Sequence, residues 1–156
     1  YSASLLERGL KTFALRAEKM AVNAQGVAEW LKAQPEISGL RYPGLPGDQG
    51  HAIALRQMHK GFGGIIAFDV GKTQEDAKRF ITALRVVVHA VSLGATESLA
   101  CIPYLTTMLY LPPERRTTFG VRQNTVRLSV GIEPLPDIIA DLKQALERSR
   151  IESGKK

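Results

Sequence analysis

A chain of 156 residues, 44% hydrophobic and 23% charged, has the length and composition of one globular domain with a single core. The formal net charge of +6 raises nucleic acid as a partner, but Lys and Arg are scattered and never clustered with aromatics. A solvated basic surface accounts for that charge, and nucleic acid is set aside. No run of about 18 apolar residues offers a membrane span, and the opening residues lack a signal pattern.

From Tyr1-Ser2-Ala3 onward the chain already reads as helix, so a fragment of a longer protein is expected. Apolar residues spaced by four and three, from Leu6, Leu10 and Phe13 through Met20 to Val27 and Leu31, predict one long helix. Gly26 weakens it without ending it, and Pro35 ends it. Its alanines make a poor coiled-coil seam, so the stripe is expected to pack along its own protein.

Ile37–Tyr42 reads as a strand, followed by a turn at Pro43-Gly44-Leu45-Pro46-Gly47. A short helix is predicted over His51–His59, with Ala52, Leu55 and Met58 on one face. Its two histidines have no acidic or Cys partner in phase, so no metal site is expected there. Gly61-Phe62-Gly63-Gly64 leads into a strand, Ile65–Val70, instead of opening a helix, and no Walker-type lysine follows. The glycines therefore do not read as a phosphate cradle.

Thr73 is a suitable N-cap for a helix from Gln74 to Leu84 with Ala77, Phe80, Ile81 and Leu84 inward. Val86–Val88 reads as a buried strand, Ser92–Leu111 as irregular, and Pro112-Pro113-Glu114 as the start of a short helix. Thr125–Gly131 alternates as a strand, Val126, Leu128 and Val130 on one face, Arg127 and Ser129 on the other. Pro134–Arg148 closes with an amphipathic helix through Leu135, Ile138, Ile139, Leu142 and Leu146. The expected architecture is α/β: a small mixed or antiparallel sheet covered by helices and preceded by a long helix. Residues 1–34 form the connecting helix, 35–148 the α/β domain, and 149–156 a frayed polar tail.

No self-sufficient catalytic constellation is present: HExxH, CxxC and GxSxG are all missing. The single cysteine, Cys101, lies in an apolar stretch and reads as a buried structural thiol, which suits a reducing cytoplasm. Arg127, projecting from the polar face of an apolar strand, admits two readings. It is either a clamp for a carboxylate or phosphate, or an arginine that is exposed on an edge strand or paired with a nearby acid such as Glu133. Ser92, beside Gly94, is a weaker candidate anion contact.

Several blocks in order resemble one family. Arg127-Leu128-Ser129-Val130-Gly131-Ile132-Glu133 is similar to the closing strand of the Cys/Met metabolism pyridoxal-phosphate (PLP) enzymes, which include cystathionine synthases and lyases, methionine γ-lyase and homoserine-ester sulfhydrylases. Arg8-Gly9-Leu10-Lys11-Thr12, Tyr42-Pro43-Gly44-Leu45-Pro46, Gly61-Phe62-Gly63-Gly64, Val91-Ser92-Leu93-Gly94 and Glu97-Ser98-Leu99 match further blocks. Asp137–Leu142 completes a likeness that runs from about Leu5 to Leu146.

The resemblance implies the C-terminal small domain of a fold type I PLP enzyme, cytoplasmic and tetrameric when full length. It implies that Arg127 binds the substrate α-carboxylate, that Ser92 supports it, and that Val91 and Thr107 line the pocket. The substrate would be an amino acid such as cystathionine, methionine or a homoserine ester, undergoing β/γ-elimination or γ-replacement. Val91 slightly favours the methionine or homoserine-ester type. Two departures stand out: Ile102 and Met108 occupy positions where the usual form carries histidine. The PLP lysine belongs to the missing N-terminal domain, since neither Lys11 nor Lys72 has the expected motif. No catalytic, cofactor-binding or metal residue is therefore assigned to this chain, and alone it is expected to be inactive. The alternative is a cofactor-free binding or regulatory module that reuses the domain.

Overall fold

The computed structural model describes residues 1–153, and its centre is strand β5 (Thr125–Ser129). Alternation along β5 turns Val126 and Leu128, both fully buried, to one face and Thr125, Arg127 and Ser129 to the other. Strand β2 (Ile65–Val70) pairs antiparallel on one side and sets Ala67 opposite Arg127. Strand β4 (Leu99–Cys101) pairs antiparallel on the other and sets Cys101 opposite Arg127. Strand β1 (Ile37–Arg41) lies outside β2, and β3 (Val88–His89) runs parallel outside β4. The order β1-β2-β5-β4-β3 makes a five-stranded mixed sheet.

Helices α2 (Phe13–Lys32), α4 (Gln74–Ala83) and α6 (Leu135–Ser153) join the Val126–Leu128 face in one core. Leu31, Phe80, Ile138 and Leu142 meet Ile66 and Phe68 there, and Phe68 and Phe80 pack edge to face at 6.0 Å. Burying each such side chain contributes about 1.5–3 kcal/mol. Helix α4 starts as expected at Thr73, which forms a reciprocal capping box with Asp76. Burial pushes the Asp76 carboxyl upward, but hydrogen bonds from Lys72 and Thr73 and the charge of Arg79 together hold it below its ordinary value.

The long N-terminal helix divides into α1 (Ser2–Leu10) and α2, with a turn at Lys11 and Thr12. Gly9 and Thr12 are weak helix formers, and α1 buries none of its residues, so packing gives no reason for continuity. Helix α3 (His51–Gln57) buries Ala54, while Leu55 and Met58 are exposed. Of Val86–Val88, Val87 alone is buried, because the N–H groups of residues 85–87 turn onto Asp141. The stretch expected to be irregular contains β4 and a 3-10 helix, Pro103–Leu105, and α5 (Pro113–Thr118) follows. Helix α6 continues past Arg148 through Ser149, whose buried hydroxyl donates to Leu146 O at 2.8 Å. The expected frayed tail thus begins as helix, and Gly154–Lys156 lie outside the described residues.

Candidate functional site

Arg127 leaves the sheet on the face away from the three helices. Its Nη2 donates to the carbonyls of Val91 and Ser92 at 2.5 and 3.0 Å. Its Nε is buried and has no hydrogen-bond partner among the described residues. A guanidinium so placed is a half-buried cation with a donor still to satisfy, and a carboxylate supplies the matching acceptors. The structure therefore brings together Arg127, Val91 and Ser92, the latter two through their main-chain carbonyls.

The segment from Val91 to Ser98, between β3 and β4, runs alongside the end of β5 and the residues after it. Gly94 N donates to Ser129 Oγ at 2.9 Å, and Ile132 N donates to Thr96 O at 2.8 Å. Ser98 donates twice to Glu133, from its N–H at 2.6 Å and its hydroxyl at 2.9 Å, and its Oγ accepts from Gly131 N at 2.9 Å. Gly131 is needed here for space: a Cβ would sit 2.3 Å from Thr96 O and 2.5 Å from Glu133 Oε2. From α2, Asn23 Nδ2 donates to the carbonyls of Gly131 and Glu133 at 3.0 and 2.8 Å. Glu133 thus serves Ser98, and the reading in which it pairs with Arg127 is replaced.

Thr107 lies exposed on the turn after the 3-10 helix, and no hydrogen bond among the described residues joins it to Arg127. Its loop is organised by Arg116, which the sequence reading passed over. The buried guanidinium donates to the carbonyls of Tyr104, Leu109 and Leu111 at 3.1, 2.9 and 2.8 Å and stacks 4.7 Å above the Tyr104 ring. No sequence signal marked it, because the groups it binds are main-chain carbonyls brought near only by the loop's path. Ile102 is buried and Met108 half-buried.

On the same sheet face, a cavity of about 490 Å³ is lined by Arg41, Ala67, Asp69, Phe119 and Arg122, among others. Asp69 in it is already engaged by Thr125 Oγ1 at 2.5 Å and Arg122 at 3.0 Å. Lys11 is exposed and paired with Glu7, and Lys72 is exposed just before α4. Neither stands in a setting that fits a cofactor lysine, so no step through PLP is assigned to a residue of this chain. Among the described residues no group of three or more His, Cys, Asp and Glu could hold a metal, and no helix is long and apolar enough to cross a membrane.

The sequence profile of the Cys/Met metabolism PLP-dependent enzymes matches residues 1–147. The chain belongs to that family. A cystathionine β-lyase from Lactococcus lactis subsp. cremoris is 45% identical over 145 residues, 92% of this chain and 37% of that protein. An L-methionine γ-lyase from Pseudomonas putida is 42% identical over 149 residues, 96% of this chain and 37% of its own length. Among solved structures, cystathionine γ-lyase from Lactobacillus plantarum, complexed with L-serine, superimposes with a TM-score of 0.88 at 38% identity. That match covers 94% of this chain and 38% of the other. A putative O-acetylhomoserine (thiol)-lyase from Campylobacter jejuni, carrying a pyridoxyl-lysine phosphate, gives the same TM-score and identity over 92% of this chain and 34% of that one. The Cys/Met metabolism chain described here thus spans a little over a third of the length of these relatives. The family is PLP-dependent and acts in cysteine and methionine metabolism, and the mixed α/β fold agrees with its fold type I neighbours.

Proposed function

We propose that this chain is the substrate-side C-terminal domain of a PLP-dependent lyase or transferase of sulfur amino acids, and that Arg127 binds the substrate α-carboxylate. The observation that carries the reading is the state of Arg127: half-buried, tethered by Val91 O and Ser92 O, with a buried Nε that meets no acceptor among the described residues. A planar guanidinium holds a carboxylate in a fixed orientation, and fixing one end of an amino acid fixes the direction of its Cα–H bond.

PLP, when bound, supplies an electron sink for a carbanion at Cα. The residues of this chain act on the substrate instead. Arg127 orients it, and the Val91–Ser92 segment walls the site beside the carboxylate. Val91, exposed and apolar, lines the path of the substrate side chain, with Thr107 contributing from the neighbouring loop. Cystathionine, methionine and homoserine esters are the candidate substrates, because the relatives are named for reactions of such compounds. The PLP lysine is assigned to a separate N-terminal domain, the full enzyme to a tetramer, and the isolated chain to catalytic silence. The buried, unpaired Cys101 suits a cytoplasmic enzyme.

In the full-length enzyme, Arg127→Ala should lower kcat/KM by about 10²–10³-fold, the worth of two charge-assisted hydrogen bonds. Arg127→Lys, which keeps the charge but loses the planar fork, should fall between. Steady-state kinetics decide it: an unchanged kcat/KM in Arg127→Ala overturns the carboxylate assignment.

A further inference from the structure

We propose that Ser129 and Glu133 are positioning residues: together they hold the Val91–Ser98 segment at the height where Arg127 can receive a carboxylate. The proposal rests on the Arg127 reading above and adds to it the parts that set the guanidinium's surroundings.

Arg127 is a long side chain, and the hydrogen bonds that orient it come from Val91 O and Ser92 O. The segment that supplies them cannot hold itself, since Val91, Ser92, Leu93 and Gly94 are all exposed and bury little apolar surface. Its position is set by polar ties to the strand that carries Arg127 and to the turn that follows it. Ser129 is the next residue on the same face of β5, is 1% exposed, and takes the Gly94 N–H on its hydroxyl. Glu133 takes the N–H and the hydroxyl of Ser98, one on each carboxylate oxygen. Gly94 has φ +74, so its N–H is presented by a backbone turn that few other residues would adopt.

These ties fall in chain order along one stretch. Arg127 meets residues 91 and 92, Ser129 meets 94, the 132 amide meets 96, and Glu133 meets 98. The spacing of residues 127–133, the end of β5 and the turn after it, is thereby copied onto the loop, and the separation between the guanidinium and its carbonyls follows from it. Removing a tie leaves Arg127 in place but lets the loop wander. The loop must then be reordered each time substrate binds, which weakens ground and transition states alike.

The test pairs kinetics of the full-length enzyme with amide hydrogen exchange on this chain, using Ser129→Ala, Glu133→Gln and Arg127→Ala. Ser129→Ala and Glu133→Gln should each raise KM about three- to tenfold with kcat within about twofold of wild type. Exchange should accelerate at Gly94 in Ser129→Ala and at Ser98 in Glu133→Gln while helix α6 stays protected. A purely structural role would lower the thermal midpoint and leave KM alone. Unchanged KM in both variants, alongside the expected collapse of kcat/KM in Arg127→Ala, overturns the clamp and leaves the carboxylate site standing. An unaltered kcat/KM in Arg127→Ala removes that site, and the clamp with it.

Discussion

Tyr42 is fully buried between α2 and the glycine-rich turn, with its hydroxyl 3.0 Å from Gly63 O and 3.4 Å from Ala21 O. The phenol serves as a polar pin between the first helix of the core and the segment that enters β2. Burial first, and then the negative charge of Glu29, pushes its pKa up from 10.0 to about 12. The folded state therefore resists losing this proton more than the unfolded chain does. Tyr42's contribution is complete below pH 10.0 and disappears as pH rises through about 12. A shift of this size amounts to about 2–3 kcal/mol. Urea unfolding at a series of alkaline pH values should show the native chain losing that much relative to Tyr42→Phe, and parallel curves for the two would show that the phenol is not held neutral.

At the scale of elements, Asp141 joins α6 to the strand on the sheet's edge. Its carboxylate is 4% exposed and accepts from the N–H groups of Arg85, Val86 and Val87 at 2.9–3.1 Å, with Gln144 Nε2 adding a bond at 2.9 Å. Three consecutive N–H groups aimed at one side chain cannot also serve a sheet ladder, so β3 shortens to Val88–His89. Asp141→Asn places an amide N–H₂ against these donors. It should destabilise the chain by about 2 kcal/mol, read from the denaturation midpoint at unchanged slope. An unchanged midpoint would show that water satisfies the three amides.

At the scale of the whole molecule, apolar surface is unevenly shared. The core between the sheet and helices α2, α4 and α6 is closed, whereas Leu5, Leu6, Leu10 and Phe13 on and beside α1 are exposed. The Arg127 face of the sheet carries loops but none of the three core helices. This division suits a domain that meets another body on its N-terminal helices and its polar sheet face, as the proposed split of labour requires. Borohydride reduction after adding PLP to the isolated chain, followed by peptide mapping, should label surface lysines weakly with no single stoichiometric site. One lysine labelled stoichiometrically would show that this chain binds the cofactor by itself.

Much of the fold was legible in the sequence because local patterns and tertiary burial agree. The alternation of Val126, Leu128 and Val130, the Thr73 cap, and the apolar stripe of α6 each predict what packs in the core. Arg127 was also legible, as a cation on the polar face of an apolar strand, and the family blocks around it identified the class of enzyme. The sequence left the role of Arg127 open. That Glu133 meets Ser98 and not Arg127 is a contact between residues 35 positions apart that no periodicity encodes. The same holds for Val86–Val88, where β-branched residues favour a strand until a carboxylate 54 residues away takes the Val87 amide. It holds as well for Arg116, whose acceptors are carbonyls without a side-chain signature. Side-chain patterning by itself determined the buried faces of β5, α4 and α6, because burial is read by hydrophobicity, but not the exposure of Leu10, Leu55 and Val88. Where the polar groups end their hydrogen bonds was decided only by the tertiary structure, because main-chain donors and acceptors are alike at nearly every residue and only proximity selects among them.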